Sequence, residues 1–480
     1  MRKKFYITTA IAYTNASPHI GHALEFIQAD VLAKYHRSKN EDVFFLTGTD
    51  EHGQKVYEAA KKSGKSPQEF TDEIGAEFKS LCQKLEISND YFIRTTDKEK
   101  HWPGVAKLWK KIEENGDLEK RKYKGLYCVG CEEFKTKKVL IDGNKCPIHL
   151  KEVEIIEEEN WFFKLSKYSQ ALKEKIKSGE LDIVPESRKN EILALLNEGL
   201  EDISFSRIKE KLSWGIPVPG DERQIIYVWG DALPNYITGI GYGSNTGELF
   251  DKFWPADIHL IGKDILRFHA AIWPAMLLSA KLPIPKTIMT HGFITSNGHK
   301  MSKSLGNVIS PFELIEKYGA EAVRYYLLKE IPTLDDGDLT EEKLKERYNS
   351  DLANGLGNFS ARVLTIATKI DLKDCQPKEE IILKIKEVES AVNKKIDEFK
   401  LNEALATIWG LIGYGDSIVN NEKPWENPEN KKDVLAGLVL LLKKSAELLL
   451  PFLPQTADKI LTSIQNNQKG ENLFPRLNSL

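Results

Sequence analysis

Two histidines at the start of a predicted helix are the residues of this sequence best suited to chemistry. His19 and His22 lie three residues apart in the stretch TNASPHIGHALEFIQAD, residues 14–30, so they share one face of the first helical turn. The start of a helix presents free N–H groups and the positive end of the helix dipole, and both favour an anion. Gly21 lies between the histidines and has no side chain, so a ligand could approach the backbone there. The alternative is a capped helix with two solvated histidines.

The helix itself is predicted from its capping residues and its apolar periodicity. Ser17 is a suitable N-cap and Pro18 a suitable first helical residue. Apolar residues then recur at spacings of three and four, which predicts one buried face. These residues are Ile20, Leu24, Ile27, Val31 and Tyr35.

Two lysines near residue 300 form a second candidate group. Lys300 and Lys303 stand in SNGHKMSKSLGNVISP, residues 296–311, whose Gly and Ser content is typical of a mobile loop. Ammonium groups on such a loop can lie over phosphates and neutralise the charge that develops during phosphoryl or nucleotidyl transfer. The alternative is a solvated basic loop.

A third candidate group has the spacing of a metal site. Cys128 and Cys131 are followed by Cys146 and His149, with two residues inside each pair. Three thiolates and one imidazole form a closed tetrahedral zinc site, which is structural because no coordination position is left for water. We therefore expect one structural Zn²⁺ per chain. The chain has five cysteines and no secretion signal, which argues against disulfides; the alternative to zinc is reduced cysteines that bind nothing.

Short apolar runs predict the strands that position these groups. They occupy residues 5–13, 42–48, 224–229, 257–262 and 286–294, with amphipathic helical stretches between them. Continuous apolarity is typical of parallel strands that are covered on both faces. The pattern predicts an α/β fold, a Rossmann-like doubly wound parallel sheet whose ligands bind at the carboxyl ends of the strands. The first strand leads directly into His19.

Changes in composition along the chain predict its domains. Residues 1–114 and 223–294 form the two halves of the α/β domain, and residues 115–222 form an insertion that carries the zinc knuckle. Residues 295–350 carry the lysine loop. Strand signals cease afterwards, so residues 351–480 are expected to form an all-helical domain.

Overall charge and hydropathy limit the possible partners. Lys and Arg total 68 and Asp and Glu total 71, a net charge of -3, so no global field attracts nucleic acid or anionic lipid. A polyanion must therefore meet a local patch. The longest apolar stretch, residues 434–453, is interrupted by Lys443, Lys444 and Glu447, which favours a core helix over a membrane span. We expect a soluble, cytoplasmic protein without a membrane partner.

The two motifs together identify a family resemblance. His-Ile-Gly-His at 19–22 and Lys-Met-Ser-Lys-Ser at 300–304 match, letter for letter, the HIGH and KMSKS motifs of the class I aminoacyl-tRNA synthetases, which this chain resembles. The resemblance implies that His19, His22, Lys300 and Lys303 are catalytic and that ATP, with Mg²⁺, is a substrate. It implies tRNA as a partner, contacted at its stem by residues 295–350. The residues implied to bind ATP are His19, Gly21, His22, Lys300, Met301, Ser302 and Lys303.

Further stretches resemble the methionine-specific members of the class over nearly the whole chain. These are TGTDEHG, YVWGDA and IGKDILRFHAAIWPAML. The resemblance implies activation of L-methionine and its transfer to the 3′ end of tRNA(Met), including initiator tRNA. Asp50 would accept the substrate ammonium, and Leu233 stands where some relatives have proline. The implied side-chain pocket consists of Ile11, Tyr13, Trp229, Ala232, Leu233, Tyr236, Ile265, His269 and Trp273.

The aromatic character of this implied pocket suits a thioether. Sulfur gains about 0.3–1.5 kcal/mol from each aromatic contact. The alternative is that the Trp and Tyr side chains simply fill the core. Relatives specific for Leu, Ile or Val carry a large editing domain, for which the insertion in this chain is too small.

Three residues of the helical domain are candidates for reading tRNA. Asn358 and Arg362 are four residues apart on one helix face, and Trp425 follows a proline. Exposed aromatic side chains stack on unpaired bases, and polar groups read base edges. The resemblance implies that these three residues contact the CAU anticodon, whereas without it Trp425 would be assigned to the core. The dimerising tRNA-binding domain of some relatives does not follow, so a monomer is expected.

Two other functions are compatible with parts of the sequence. A nucleotidyltransferase that adenylylates a cofactor precursor also uses an HxGH helix and a basic loop, but it needs neither the insertion nor the helical domain. A non-catalytic tRNA-binding paralogue would be expected to lose His19, His22, Lys300 or Lys303, and all four are present.

Overall fold

The computed structural model of the chain forms two compact units, each built from separate segments. It describes residues 2–130, 133–135, 137–148, 150–244, 247–296, 298–301 and 308–477, with the backbone alone at 133, 134, 138 and 300. The first unit comprises Met1–Pro18, Asn40–Cys82 and Asn89–Thr290. The second comprises His19–Lys39, Gln83–Ser88 and His291–Leu480.

Strands and helices are interspersed up to about residue 340, and helices follow. The strands are β1 (Lys4–Thr9), β2 (Ala12–Tyr13), β3 (Asp42–Asp50), β4 (Tyr91–Arg94), β5 (Leu118–Cys128), β6 (Glu133–Lys135), β7 (Glu154–Phe163), β8 (Asp182–Val184), β9 (Ile203–Ser204), β10 (Ser206–Ile208), β11 (Pro217–Val218), β12 (Asp221–Ile226), β13 (Ile258–Gly262), β14 (Thr287–His291), β15 (Ile294–Ser296), β16 (His299–Lys300) and β17 (Gly337–Leu339). The α-helices are α1 (Ile20–Ser38), α2 (Gln54–Ser63), α3 (Pro67–Lys84), α4 (Trp102–Glu114), α5 (Ser169–Ser178), α6 (Glu186–Glu198), α7 (Val228–Ala232), α8 (Asn235–Thr238), α9 (Glu248–Phe253), α10 (Trp273–Ser279), α11 (Pro311–Tyr318), α12 (Ala320–Glu330), α13 (Glu341–Arg347), α14 (Asn358–Ala367), α15 (Glu379–Asp397), α16 (Leu401–Glu422), α17 (Lys432–Leu449) and α18 (Pro454–Gln465). Two π-helical segments, Phe268–Ile272 and Tyr348–Gly357, precede α10 and α14.

A parallel sheet forms the centre of the first unit. In the described residues its strand order is β2-β3-β1-β13-β14-β8, and β4 pairs with β3. Strand β1 is parallel to both β3 and β13, as the continuous apolar runs predict. The predicted α/β class with a parallel sheet is therefore confirmed.

The range predicted for the insertion contains a second sheet and one strand of the first. Strands β5, β6, β7 and β9 form a four-stranded antiparallel sheet. Strand β8 lies in the same range and pairs in parallel with β14 at the edge of the main sheet. The insertion range thus contributes a strand to the α/β fold.

The prediction of a parallel strand at 224–229 is wrong. Strand β12 ends at Ile226 and pairs antiparallel with β10 and β11 in a small separate sheet, and α7 begins at Val228. Its apolar run is nevertheless buried. A short strand covered on both faces has the same apolar pattern in either kind of sheet, so the pattern does not distinguish them.

The second unit contains α1, the β15–β16 hairpin and the helices from α11 onward. The all-helical region after about residue 350 is confirmed, and residues 434–453 mostly form the buried helix α17. Asp30 of α1 and Arg324 of α12 form a buried ion pair at 2.8 Å. Arg324 also donates to the carbonyls of Leu85 and Phe452, so it joins all three segments of this unit. Among the described helices, none combines the length and apolarity that a bilayer span requires.

Candidate active site

The start of α1 is capped by the two motif histidines themselves. The N-cap is His19, so Ser17 and Pro18 both precede the helix and their predicted capping roles are wrong. His19 Nδ1 accepts a hydrogen bond from Gly21 N, and His22 Nδ1 accepts one from His19 N, both at 3.1 Å. The result is a reciprocal capping box, which Ser or Thr with Glu more often forms. His19 takes the cap position because its backbone is extended, as an N-cap requires.

These bonds fix the tautomers of both imidazoles. A backbone N–H only donates, so each Nδ1 is an acceptor and the proton of each neutral ring lies on Nε2. Burial, with His19 and His291 nearby, lowers the pKa of His22 well below its usual 6.5. His22 is therefore a neutral Nε2–H donor at physiological pH. The two rings stack with centroids 3.8 Å apart.

The space left by Gly21 accommodates one of these rings. A Cβ at this position would lie 2.9 Å from His19 Cε1, closer than van der Waals contact allows. The absence of a side chain is therefore needed for the capping box itself.

The segment with the two lysines begins as a hairpin in the second unit. Strand β15 pairs antiparallel with β16, placing Thr295 opposite Lys300, and parallel with β17. Met301 is half-buried. Ser302 and Lys303 lie outside the described residues, so the predictions made for them stay predictions.

Two residues of the predicted methionine site lie at the carboxyl end of the sheet in the first unit. Tyr13 and Asp50 are register partners where β2 pairs with β3, and Asp50 is buried. Such strand ends are where doubly wound sheets bind ligands. Leu233, Tyr236 and Trp273 belong to one buried cluster, against which Ile11, Tyr13, Trp229 and Ile265 pack. Ala232 is buried at the end of α7.

Four of the predicted aromatic or imidazole side chains contact one another. Trp229 and His269 meet edge to face with centroids 6.0 Å apart. Tyr236 Oη lies 2.7 Å from His269 Nε2, and its ring lies 6.0 Å from that of Trp273. Phe268, which was not among the predicted pocket residues, stacks on Trp229 at 3.8 Å. These rings form one uncharged wall.

The hydrogen bonds of His269 keep that wall neutral. His269 Nδ1 lies 3.0 Å from the Ile265 carbonyl, which only accepts, so Nδ1 is protonated. His269 Nε2 therefore accepts from the Tyr236 hydroxyl. Burial lowers the pKa of His269 to about 4, so the ring is uncharged at neutral pH.

His259 is a further part of the wall that was not among the predicted residues. Its Nε2 accepts from Trp273 Nε1 at 3.3 Å, and its Nδ1 lies 2.7 Å from Thr8 Oγ1. Thr8 is its register partner on β1. Burial, with His269 nearby, lowers the pKa of His259 well below 6.5. A polar residue inside the apolar run 257–262 is the signal that could have identified it.

A buried carboxylate contacts two histidines from other segments of the first unit. Asp231 lies on α7 between Trp229 and Ala232, and its oxygens contact His52 Nδ1 at 2.7 Å and His101 Nε2 at 3.0 Å. His52 follows Asp50 by two residues. Burial alone raises the pKa of Asp231, but the two histidines outweigh it and leave this pKa below its usual value.

Two of the four predicted zinc ligands are described, and they lie together. Cys128 and Cys146 are buried in one small cluster with Val153. Cys131 and His149 lie outside the described residues. Within the described residues no group of three metal-ligating side chains occurs. Burial of the two thiols in one small cluster fits a shared metal.

The three predicted tRNA-reading residues are partly brought together in the helical region. Arg362 Cζ lies 5.4 Å from the Trp425 ring centroid, and Asn358, one turn earlier on α14, is exposed. The guanidinium also donates to Asp416 and Asn420, both at 2.8 Å. Trp425 is 47% exposed, so the alternative core role is wrong.

The fold and these residues define a class I tRNA synthetase. The family model described as tRNA synthetases class I (M) matches residues 5–154 and 137–364. The methionine–tRNA ligase of Thermotoga maritima is 45% identical over 97% of this chain and 76% of its own length. That of Clostridium acetobutylicum is 44% identical over 99% of this chain and 78% of its own.

A solved structure gives the same result. The methionyl-tRNA synthetase of Mycobacterium tuberculosis, in complex with methionyl-adenylate, has a TM-score of 0.91 and 38% identity, covering 96% of this chain and 93% of its own. The present chain belongs to the methionyl-tRNA synthetases.

Proposed function

We propose that this protein is a methionine–tRNA ligase. It activates L-methionine with ATP, forming methionyl-adenylate and pyrophosphate, and transfers the methionyl group to the 3′ end of tRNA(Met), including initiator tRNA. Family membership supports the activity. The observation that carries the choice of amino acid is the uncharged wall of Trp229, Tyr236, His269 and Trp273, which offers aromatic contacts to a thioether and no charge.

The ATP end of the reaction is assigned to the start of α1 and to the lysine segment. The Nε2–H groups of His19 and His22 would donate to phosphate oxygens, and a neutral donor keeps its proton throughout the reaction. Lys300 and Lys303 would neutralise the charge that develops on the pyrophosphate. The remaining ATP contacts are assigned to Gly21, Met301 and Ser302.

The methionine end is assigned to the first unit. Asp50, buried at the end of β3, would accept the substrate ammonium. The substrate carboxylate then attacks the α-phosphorus in line, and the bond to pyrophosphate breaks. Mg²⁺ bound with ATP would supply further neutralisation of phosphate charge. No covalent bond to the protein is needed.

Two sites outside the chemistry complete the proposal. Cys128, Cys131, Cys146 and His149 would hold one structural Zn²⁺ that orders the insertion; the shared burial of Cys128 and Cys146 supports this. Asn358, Arg362 and Trp425 would contact the anticodon, and the exposure of Trp425 beside Arg362 supports stacking on an unpaired base.

The test is amino-acid-dependent exchange of pyrophosphate into ATP. It is measured without tRNA for each of the twenty amino acids. Exchange with methionine alone is the expected result. Exchange with another amino acid would retain the class and refute the pocket assignment. The absence of exchange with every amino acid would favour the non-catalytic paralogue or a requirement for bound tRNA.

The state of the protein in solution is part of the same proposal. We expect a cytoplasmic monomer. Light scattering should then give the mass of one 54.5 kDa chain, and a mass near twice that value would contradict a monomer.

A further inference from the structure

A buried acid–histidine pair in the second unit joins α1 to the start of the lysine hairpin. Glu25 Oε2 lies 3.0 Å from His291 Nε2, and both residues are buried, at 9% and 7% exposure. Glu25 comes one turn after His22 on α1. His291 is the last residue of β14 and precedes β15, the first strand of the hairpin.

The hydrogen bonds of this pair require a charge-assisted contact. His291 Nδ1 lies 2.8 Å from the Gly292 carbonyl, which only accepts, so Nδ1 is protonated. The contact between His291 Nε2 and the Glu25 carboxyl group needs a second proton shared between them. A buried contact of this kind is expensive to break, because a charge-assisted hydrogen bond is lost away from water.

The chain after His291 is fixed on its other side. A Cβ at Gly292 would lie 2.2 Å from the carbonyl oxygen of Asp335, so two backbone segments are in close contact. Phe293 N donates to Asp336 Oδ1 at 2.8 Å. The base of the hairpin and the chain at 335–336 therefore behave as one block, and Glu25 contacts that block through His291.

A second contact with α1 follows the lysine segment. Ile20 N donates to the carbonyl of Ile309 at 3.2 Å. The next residue, Ser310, caps α11 by accepting from Glu313 N. Helix α1 therefore contacts the chain both before and after the residues that carry the KMSKS motif.

We propose that Glu25 and His291 are a positioning pair that fixes the strand bearing Lys300 relative to His19 and His22, so that both motifs bind one triphosphate. This inference rests on the proposed function, because it concerns ATP binding at that same site. Neither member of the pair touches ATP; each acts through the backbone that it holds.

The test compares Glu25→Ala with Glu25→Gln in methionine-dependent pyrophosphate exchange by the full chain. Alanine removes the contact, so kcat/KM for ATP should fall about tenfold or more, the size of one lost charge-assisted hydrogen bond. Glutamine can donate to the neutral imidazole and should recover most of that loss. The dissociation constant of methionine alone, from tryptophan fluorescence, should change less than about twofold, because the pocket is untouched.

Two further variants separate positioning from general stability. His291→Ala combined with Glu25→Ala should lower kcat/KM for ATP no further than the single change does, because both remove the same contact. Asp30→Asn weakens another buried pair of the same helix, so it should lower the unfolding temperature without a selective loss for ATP. An equal loss for ATP and methionine in Glu25→Ala, or the same ATP-selective loss in Asp30→Asn, would overturn the inference.

The unmodified protein distinguishes the two proposals. If it shows no methionine-dependent exchange, the proposed function fails. If it shows exchange and Glu25→Ala has the same kcat/KM for ATP, the positioning role alone is refuted.

Discussion

At the residue scale, the two imidazoles at the start of α1 serve the helix and the proposed chemistry with different atoms. The Nδ1 atoms accept backbone N–H groups and so cap the helix. The Nε2 atoms carry the protons that we assign to ATP binding. The two roles can therefore be separated by substitutions that supply a polar atom near only one of the two nitrogen positions, Nδ1 for capping or Nε2 for ATP binding.

Substitutions at His22 should separate capping from catalysis. His22→Asn places an amide oxygen near the position of Nδ1, so the free energy of unfolding should change by less than about 0.5 kcal/mol. The rate of adenylate formation should fall about 100- to 1,000-fold, because the Nε2–H donor is lost. His22→Gln places its amide near Nε2 and loses the cap, so about 1 kcal/mol of stability should be lost. Denaturant unfolding and pyrophosphate exchange measure the two effects. Normal exchange by His22→Asn would contradict the donor role.

Substitution of Trp425 should impair the aminoacylation of tRNA and leave adenylate formation unchanged. Its ring is exposed beside Arg362 and lies outside the core. Trp425→Ala should therefore lower kcat/KM for tRNA in aminoacylation by an amount equivalent to about 1–3 kcal/mol, the value of one stacked base. Trp425→Phe keeps a ring and should retain most of the activity. Pyrophosphate exchange without tRNA is the control. A matching loss of exchange would place Trp425 in the fold of the catalytic region.

At the element scale, the short helix α7 and the end of β3 are held together by Asp231. Its carboxylate contacts His52, next to the proposed ammonium site, and His101 on the segment before α4. All three side chains are buried. Asp231 thus connects two elements that carry residues of the predicted pocket.

Asp231→Asn should weaken methionine binding and the fold together. Removing a buried charge from its partners should lower stability by about 2–4 kcal/mol and raise the dissociation constant of methionine. The pKa of Asp231 is below its unfolded value, so its contribution is present above the unfolded pKa of about 4 and is lost as pH falls through the folded value. As the pH falls below ~4, the free energy of unfolding should therefore decrease less in the variant than in the unmodified protein. Parallel pH curves for the two proteins would contradict this role.

The zinc knuckle is a second prediction at this scale. The purified protein should contain one zinc per chain, and Cys146→Ser should lose it and make the insertion sensitive to proteolysis. Cys375→Ser is the matched control, because Cys375 lies outside the cluster of Cys128 and Cys146. Metal content by mass spectrometry gives the result. Full zinc content in Cys146→Ser would refute the ligand assignment.

Sequence patterns predict elements more completely than the contacts between them. The parallel strands, the helical region and the location of His19 follow from local apolar runs and motifs. The antiparallel pairing of β12 does not, because its partners lie elsewhere in the chain. The positions of His259 and Phe268 in the aromatic wall depend on strand register and on a π-helical turn, which local composition does not encode. Likewise, Ser17 is a favourable N-cap by residue type, but the reciprocal bonds of His19 and His22 replace it.

At the scale of the whole molecule, burial of neutral histidines makes stability depend on pH. Burial lowers the pKa values of His22, His259 and His269 below 6.5. Each of these rings therefore binds a proton more readily in the unfolded chain than in the folded protein. The contribution of these histidines to the free energy of unfolding is fully present above pH ~6.5. It is lost as the pH falls towards their folded pKa values.

The unfolding free energy should therefore fall between pH 6.5 and 4. His269 alone should contribute about 3 kcal/mol over this range, given its folded pKa of about 4. His269→Gln can still accept from Tyr236 and should reduce the slope by that amount. Denaturant unfolding at several pH values measures it. An unchanged slope in the variant would show that His269 is not a buried neutral group in the folded protein.

The separate segments of the second unit also have a consequence for biosynthesis. A ribosome makes Asp30 first and Arg324 about 300 residues later, which at ~5–20 residues per second is a delay of roughly 15 to 60 s. During that interval the carboxylate on α1 lacks the guanidinium that accompanies it in the folded protein. A nascent chain that contains the whole parallel sheet therefore still lacks one of the buried partners of α1. The buried contacts of the second unit can therefore be completed only after α12 has left the ribosome, although α1 is made early.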